Sequence, residues 1–134
     1  MKGWQAVDAA AFVDLVGPVL RRSSDNGLQF GLLIEDKHSN RSGFAHGGVI
    51  TALLDVALGL TAKTVEQRKQ ATLSLSVQFL APVRVGEFLI AECSVVKRTR
   101  SIMFMQGSFR VDDRICATAQ GAWKILQGQN SNPV

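Results

Sequence analysis

The feature that most restricts the fold is a change of period in the middle of the chain. From Val49 to Ala62 nearly every residue is apolar and Asp55 alone is charged, the pattern of a helix surrounded by protein. From Gln70 onward the period becomes two. Leu73, Leu75, Val77 and Phe79 alternate with Thr72, Ser74, Ser76 and Gln78, which predicts a half-buried strand. Further strands are predicted at Phe88–Lys97, Ile102–Val111 and Ile115–Leu126, and their short polar connections predict an antiparallel meander. Ahead of the helix, a strand reads from Leu28 to Asp36, after a turn cluster at 23–27. One all-apolar helix among about five strands is buried best by a curved antiparallel sheet wrapped around it. The predicted class is α+β, with the helix enclosed by the sheet.

The rest of the chain adds little to that core. Residues 8–20 put Ala11, Phe12, Leu15, Val16 and Val19 at helical spacing, with Pro18 to end or kink the helix, so 1–22 reads as an N-terminal helical segment. The tail 127–134, QGQNSNPV, reads as disordered. A chain of 134 residues without a linker or repeat fits a single domain, 1–134. Its formal charge of +4 comes from scattered Lys and Arg without interleaved aromatics, so a nucleic-acid partner is not expected. A small anionic ligand or a plain solvated surface fits that excess better. The apolar run is too short to span a bilayer, and no secretory h-region opens the sequence. Cys93 and Cys116 stand isolated, fitting neither a zinc site nor a disulfide framework. A soluble cytoplasmic chain with two buried thiols is the expectation.

The chemistry concentrates between Asn40 and Asp55. Gly47 and Gly48 open the helix, so its first N–H groups lie uncovered at the positive end of the dipole, suited to an anion or a polarised carbonyl oxygen. Those glycines also suit close helix–sheet packing. Asp55 has apolar helical neighbours, and a buried carboxylate must be paired, protonated or at work. The readings open to it are a structural hydrogen bond to Thr51 or a strand hydroxyl, and a general base or nucleophile made more basic by burial. His46 is either a capping imidazole or part of a site. His38 has no metal-type partner at a suitable spacing, and Ser42 has no nucleophile-elbow context.

The order Asn40-x-x-Gly43-x-x-His46-Gly47-Gly48, Asp55 nine residues after the histidine, and Thr72 through Phe79-Leu-Ala-Pro-Val-Arg-Val-Gly-Glu87 resembles the hotdog-fold thioesterases. It looks closest to the PaaI-like branch of the 4-hydroxybenzoyl-CoA thioesterase superfamily, over roughly residues 27–126. The resemblance implies a long helix wrapped by an antiparallel sheet, and acyl-CoA hydrolysis without a metal or other cofactor, coenzyme A being part of the substrate. It assigns Asn40 and the Gly47 N–H to the thioester carbonyl, places His46 beside them, and gives Asp55 the water or the carbonyl to attack. Thr72 would position that water, with Ser74 as a possible substitute.

The CoA phosphates would meet surface cations, with Lys63, Arg68, Lys69, Lys97, Arg98 and Arg100 as candidates, and Gly48 would complete the substrate contacts. Acyl-pocket depth would depend on Phe44, Leu58, Met103, Phe104 and Met105. A non-catalytic acyl-CoA-binding module and a hotdog dehydratase or hydratase are the competing readings. Helix geometry adds one expectation. Asp55 lies about 12 Å along the axis from Gly47, beyond a short carboxylate's reach. The site should therefore be shared between two chains of a homodimer, which could pair further into a homotetramer.

Overall fold

The computed structural model describes residues 3–9 and 11–127, so the tail from residue 128 lies outside the described residues. In chain order the elements are strand β1 (Gln5–Ala6), helix α1 (Ala11–Val16), strands β2 (Leu20–Ser24) and β3 (Gly27–Leu33), and a 3-10 turn at Asp36–His38. Helix α2 (Gly47–Val65) follows, then strands β4 (Gln70–Phe79), β5 (Phe88–Arg98), β6 (Ile102–Val111) and β7 (Arg114–Ile125). The strands form one antiparallel sheet in the order β1-β2-β3-β5-β6-β7-β4. The sheet curls over α2, and Leu53, Leu54, Ala57, Leu58 and Ala62 of the helix share one core with Leu89, Ala91, Met103, Met105 and Phe109 of β5 and β6. The predicted helix-in-sheet architecture is present.

Several details differ from the sequence reading. The expected N-terminal helix shrinks to six residues, because Gly17-Pro18 stops it and Leu20–Ser24 pairs with β3 as a hairpin across the Asp25-Asn26 turn. Strands β5, β6 and β7 do form a meander, but β4 lies beyond β7 instead of beside β5. The connection from Leu80 to Glu87 does not fold back. It crosses the mouth of the curled sheet, where Leu80 and Ala81 donate to the Cys116 carbonyl, and Ile34 and Gly86 exchange bonds with Glu87 and Ile34. On the way, the Val83 carbonyl accepts from Ala45 N–H at 2.7 Å, so this crossing holds the loop that leads into α2.

Helix α2 extends past the apolar run to 19 residues, with a mean hydropathy of 1.5 over its most apolar window. The expectation that it is too short for a bilayer therefore fails on length. Its burial under the sheet is what makes it a core helix. That burial is uneven. Ala52, Asp55, Val56, Gly59 and Leu60 are only partly covered, by α1 and residues 7–9 on one side and by Thr72 and Trp123 of the sheet on the other. The enclosure expected on every side is thus incomplete within one chain, and Asp55 is half-buried rather than buried.

Candidate active site

The loop entering α2 is a closed turn built on Asn40. Its side-chain Oδ1 accepts from the N–H groups of Ser42 at 2.8 Å and Phe44 at 3.2 Å, while its own N–H donates to the Phe44 carbonyl at 2.7 Å. Gly43 adopts φ +84°, a left-handed conformation that a side chain would strain. Because two backbone donors face Oδ1, the amide orientation is determined, and Nδ2 is left as an outward-facing donor. His46 caps the helix, its Nδ1 accepting from Gly48 N–H at 2.8 Å, which puts the ring hydrogen on the exposed Nε2. The Gly48 donor is thereby engaged, whereas Gly47 N–H has no partner among the described residues. Asn40 and Gly47 line one apolar cleft with Phe79 and Leu80. A Cβ on Gly47 would stand 3.2 Å from the Phe79 ring, so the glycine also lets strand and helix start approach.

Asp55 meets Thr72. The threonine Oγ1 donates to Asp55 Oδ1 at 2.8 Å, and Oδ2 has no partner among the described residues. Regular alternation would have turned Thr72 outward with Ser74, Ser76 and Gln78. A β-bulge at Leu73 prevents this: Thr72 pairs with Trp123 and Ser74 with Ala122, so two residues of β4 are spent on one step of β7. The extra residue reverses the facing of everything before it, bringing Thr72 to the helix and leaving Leu73 half exposed at 50%. Of the two hydroxyls, that of Thr72 is the one bonded to Asp55.

Asp55 and Thr72 line a second cleft, with Lys63, Lys69, Gln70 and Trp123, separate from the one that holds Asn40 and Gly47. One chain thus presents the donors and the carboxylate in different places. Of the candidate cations, Lys63 and Lys69 stand in the Asp55 cleft. Arg68 and Arg98 grip Glu66 instead, and Lys97 and Arg100 lie exposed near the β5–β6 turn, outside that cleft. Hydrogen bonds from the Arg68 side chain and backbone, aided by both guanidinium charges, hold the Glu66 carboxyl down at about 2. Leu58, Met103 and Met105 are core residues and Phe104 is 41% exposed, and none of the four lines either cleft; Phe44 lines the Asn40 cleft. Cys93 and Cys116 are free thiols, and desolvation pushes Cys93 up to about 12.

Sequence reasoning passed over His38. It is 3% exposed, its Nδ1 accepts from Glu35 N–H at 2.9 Å, and its Nε2–H donates to the carbonyl of Val16, the last residue of α1. The histidine ties α1 to the segment after β3. Backbone groups of Val16 and Glu35, far apart in sequence, meet on one imidazole, a signal visible only in three dimensions.

A model of the thioesterase superfamily matches residues 42–118, more than half of the chain. A Pseudomonas aeruginosa protein named as a candidate esterase is 30% identical over 120 residues, spanning 87% of this chain and 90% of its own. A Bacillus halodurans protein solved with CoA superposes with a TM-score of 0.81 at 20% identity, over 92% of this chain and 83% of that one. The phenylacetic acid degradation protein PaaI of Thermus thermophilus superposes with a TM-score of 0.77 at 21% identity, over 86% and 98%. Those two structures share the hotdog fold seen here, in agreement with the PaaI-like pattern of the motif. Fold, motif and family match converge: the chain belongs to the thioesterase superfamily and is a thioester hydrolase.

Proposed function

We propose that the substrate is an acyl-CoA, hydrolysed in sites shared by two copies of the chain, in the cytoplasm where its two thiols stay free. The observation that carries the reading is the separation of complementary halves. The Asn40 amide and Gly47 N–H are two unmatched donors suited to a thioester oxygen as it gains charge, and Asp55 carries an unmatched carboxylate oxygen. A two-fold dimer would bring one chain's donors to the other's carboxylate. Two features support such a pairing: the half-covered apolar face of α2, and the open edge of β4 with Leu73, Phe79 and Leu80 each at least 50% exposed.

In this reading Thr72 donates to Asp55 Oδ1, so its oxygen lone pairs are free to accept from a water. Asp55 Oδ2 takes a proton from that water as its oxygen attacks the carbonyl carbon. The C–O bond forms, the donors hold the oxyanion, the C–S bond breaks, and the CoA sulfur leaves with the electron pair and then takes up a proton. Direct attack by Asp55, giving an anhydride that water then opens, uses the same groups. Lys63 and Lys69 stand where a phosphate-bearing arm would pass. The CoA seen in the Bacillus protein of this fold agrees with that substrate class.

The test is thiol release from a panel of acyl-CoA esters, followed by mixing inactive Asp55→Ala and Asn40→Ala chains. One of the two sites in a mixed dimer then has both groups intact, so activity should return to as much as about half of wild type. Mixed dimers that form and stay inactive would refute the shared site. Binding without thiol release would make the chain an acyl-CoA binder.

A further inference from the structure

We infer that the acyl group is housed in a narrow apolar cavity between α1 and α2, and that α1, through Val13 and Val16, limits its length. The inference rests on the acyl-thioester reading and names the part of the substrate that the reading leaves open. The cavity is walled by Val13 and Val16 on one side and by Val49, Leu53 and Leu32 on the other, and Asp55 is the one polar side chain in its wall among the described residues. Val13, Asp55 and Val56 also line the open cleft that contains Thr72, Lys63 and Lys69. Asp55 therefore stands on the border between a narrow apolar space and a more open cationic one. A thioester has that polarity: a hydrocarbon on one side of the reacting carbon and an anionic carrier on the other.

Size narrows the class. The cavity measures about 80 Å³. An engineered apolar cavity of about 150 Å³ accepts benzene, so this one should take about three carbons beyond the carbonyl, a short aliphatic chain and not an aromatic ring. The outer wall is fixed in place. Val16, whose side chain faces the cavity, is held through its carbonyl by the buried His38. A wall pinned from behind by a buried side chain makes a stop, whereas a frayed six-residue helix would yield to longer chains.

The experiment compares kcat/KM for acetyl-, butanoyl-, hexanoyl- and octanoyl-CoA in wild type, Val16→Phe and Val16→Ala, with melting curves to confirm folding. Wild type should peak near butanoyl. Val16→Phe fills the cavity and should lower butanoyl relative to acetyl about tenfold or more, since two methylenes lose their burial. Val16→Ala should shift the optimum to a longer chain, and it reads the proposal independently should the phenylalanine variant not fold. Hydrolysis with the same length profile in all three proteins would overturn the cavity and leave the thioesterase reading standing.

S-Alkyl-CoA thioethers, which lack the scissile carbonyl, separate the remaining cases by calorimetry. Affinity that rises with alkyl length and falls in Val16→Phe supports the cavity even where no ester is turned over. Affinity that ignores alkyl length overturns it. Failure to bind any CoA derivative overturns both readings.

Discussion

The two ends of α2 are finished in opposite ways. At the start, His46 takes Gly48 N–H, but Gly47 N–H remains unmatched beside the free amide hydrogens of Asn40, in a loop open to solvent. At the far end the polar groups of Glu66 are engaged, while the buried Gln70 Oε1 has no partner among the described residues. Glu66 N–H closes on the Ala62 carbonyl, Gln70 takes the Glu66 carbonyl, and the Glu66 carboxylate is held by Arg68 and Arg98. An acid at a helix C-terminus sits at the wrong pole of the dipole, and the two guanidinium groups reverse the sign of the local charge. The contrast separates two uses of polar chemistry in one helix. A carboxylate clasped by two guanidinium groups holds the far end of α2, and in the proposed mechanism the unpaired donors at its start take the substrate.

That separation can be broken most sharply at Asp55, which lies between the ends. Asp55→Asn keeps the shape and a hydrogen-bond acceptor for Thr72 but removes basicity. It should lower kcat about a thousandfold, with KM and melting temperature little changed. A near-normal kcat would make Asp55 a structural residue. At the open end, Asn40→Asp keeps an oxygen for the Ser42 and Phe44 N–H groups and so preserves the turn. It replaces the outward donor with an acceptor, and kcat should fall about a hundredfold with the loop intact. Asn40→Ala should add a stability loss that the aspartate variant lacks.

The smallest effect on activity is expected at the closed end. Glu66 is held near 2 against an ordinary value of 4.5. A carboxyl lowered by folding stabilises the fold above the ordinary value, and the contribution is lost as pH falls from 4.5 through 2. Wild type should therefore lose melting temperature steeply over that range, and Glu66→Gln should start lower at neutral pH and fall less. Its kcat should stay within about twofold of wild type, as expected for a group remote from the bond being broken. A large kcat loss in Glu66→Gln would erase the distinction between the two ends.

What the sequence made legible follows from which forces leave a periodic trace. The apolar run of α2 and the alternation of β5, β6 and β7 are burial patterns, and burial is written residue by residue. Asn40, Gly47 and Asp55 were legible as a set because their motif is local and ordered. The fate of β4 was not: whether an eight-residue connection turns back or crosses a sheet mouth depends on partners such as Ala45 and Cys116 that lie far from it in sequence. The polar Leu20–Ser24 strand lacked alternation because it lies near the sheet's edge. Asp55 looked buried because its neighbours are apolar, yet those neighbours belong to a helix with one partly covered face. His38 and Glu66 were invisible as anchors, since each acts on groups displaced in sequence or folded back from the next strand.

The bulge at Leu73 stores the orientation of a site residue as a register. What turns Thr72 toward Asp55 is that Leu73 takes no rung of the ladder, so that Thr72 and Ser74 pair with consecutive residues of β7. Were Leu73 paired as a regular rung, the hydroxyl would turn to the outer surface with every side chain of the site still present in the sequence. After deletion of Leu73, by contrast, Thr72 would stay opposite Trp123, facing Asp55. Substituting Leu73 would likewise leave the parity untouched. The pairing of strand and helix is therefore carried by the register of β4 on β7, which residue types along β4 do not display.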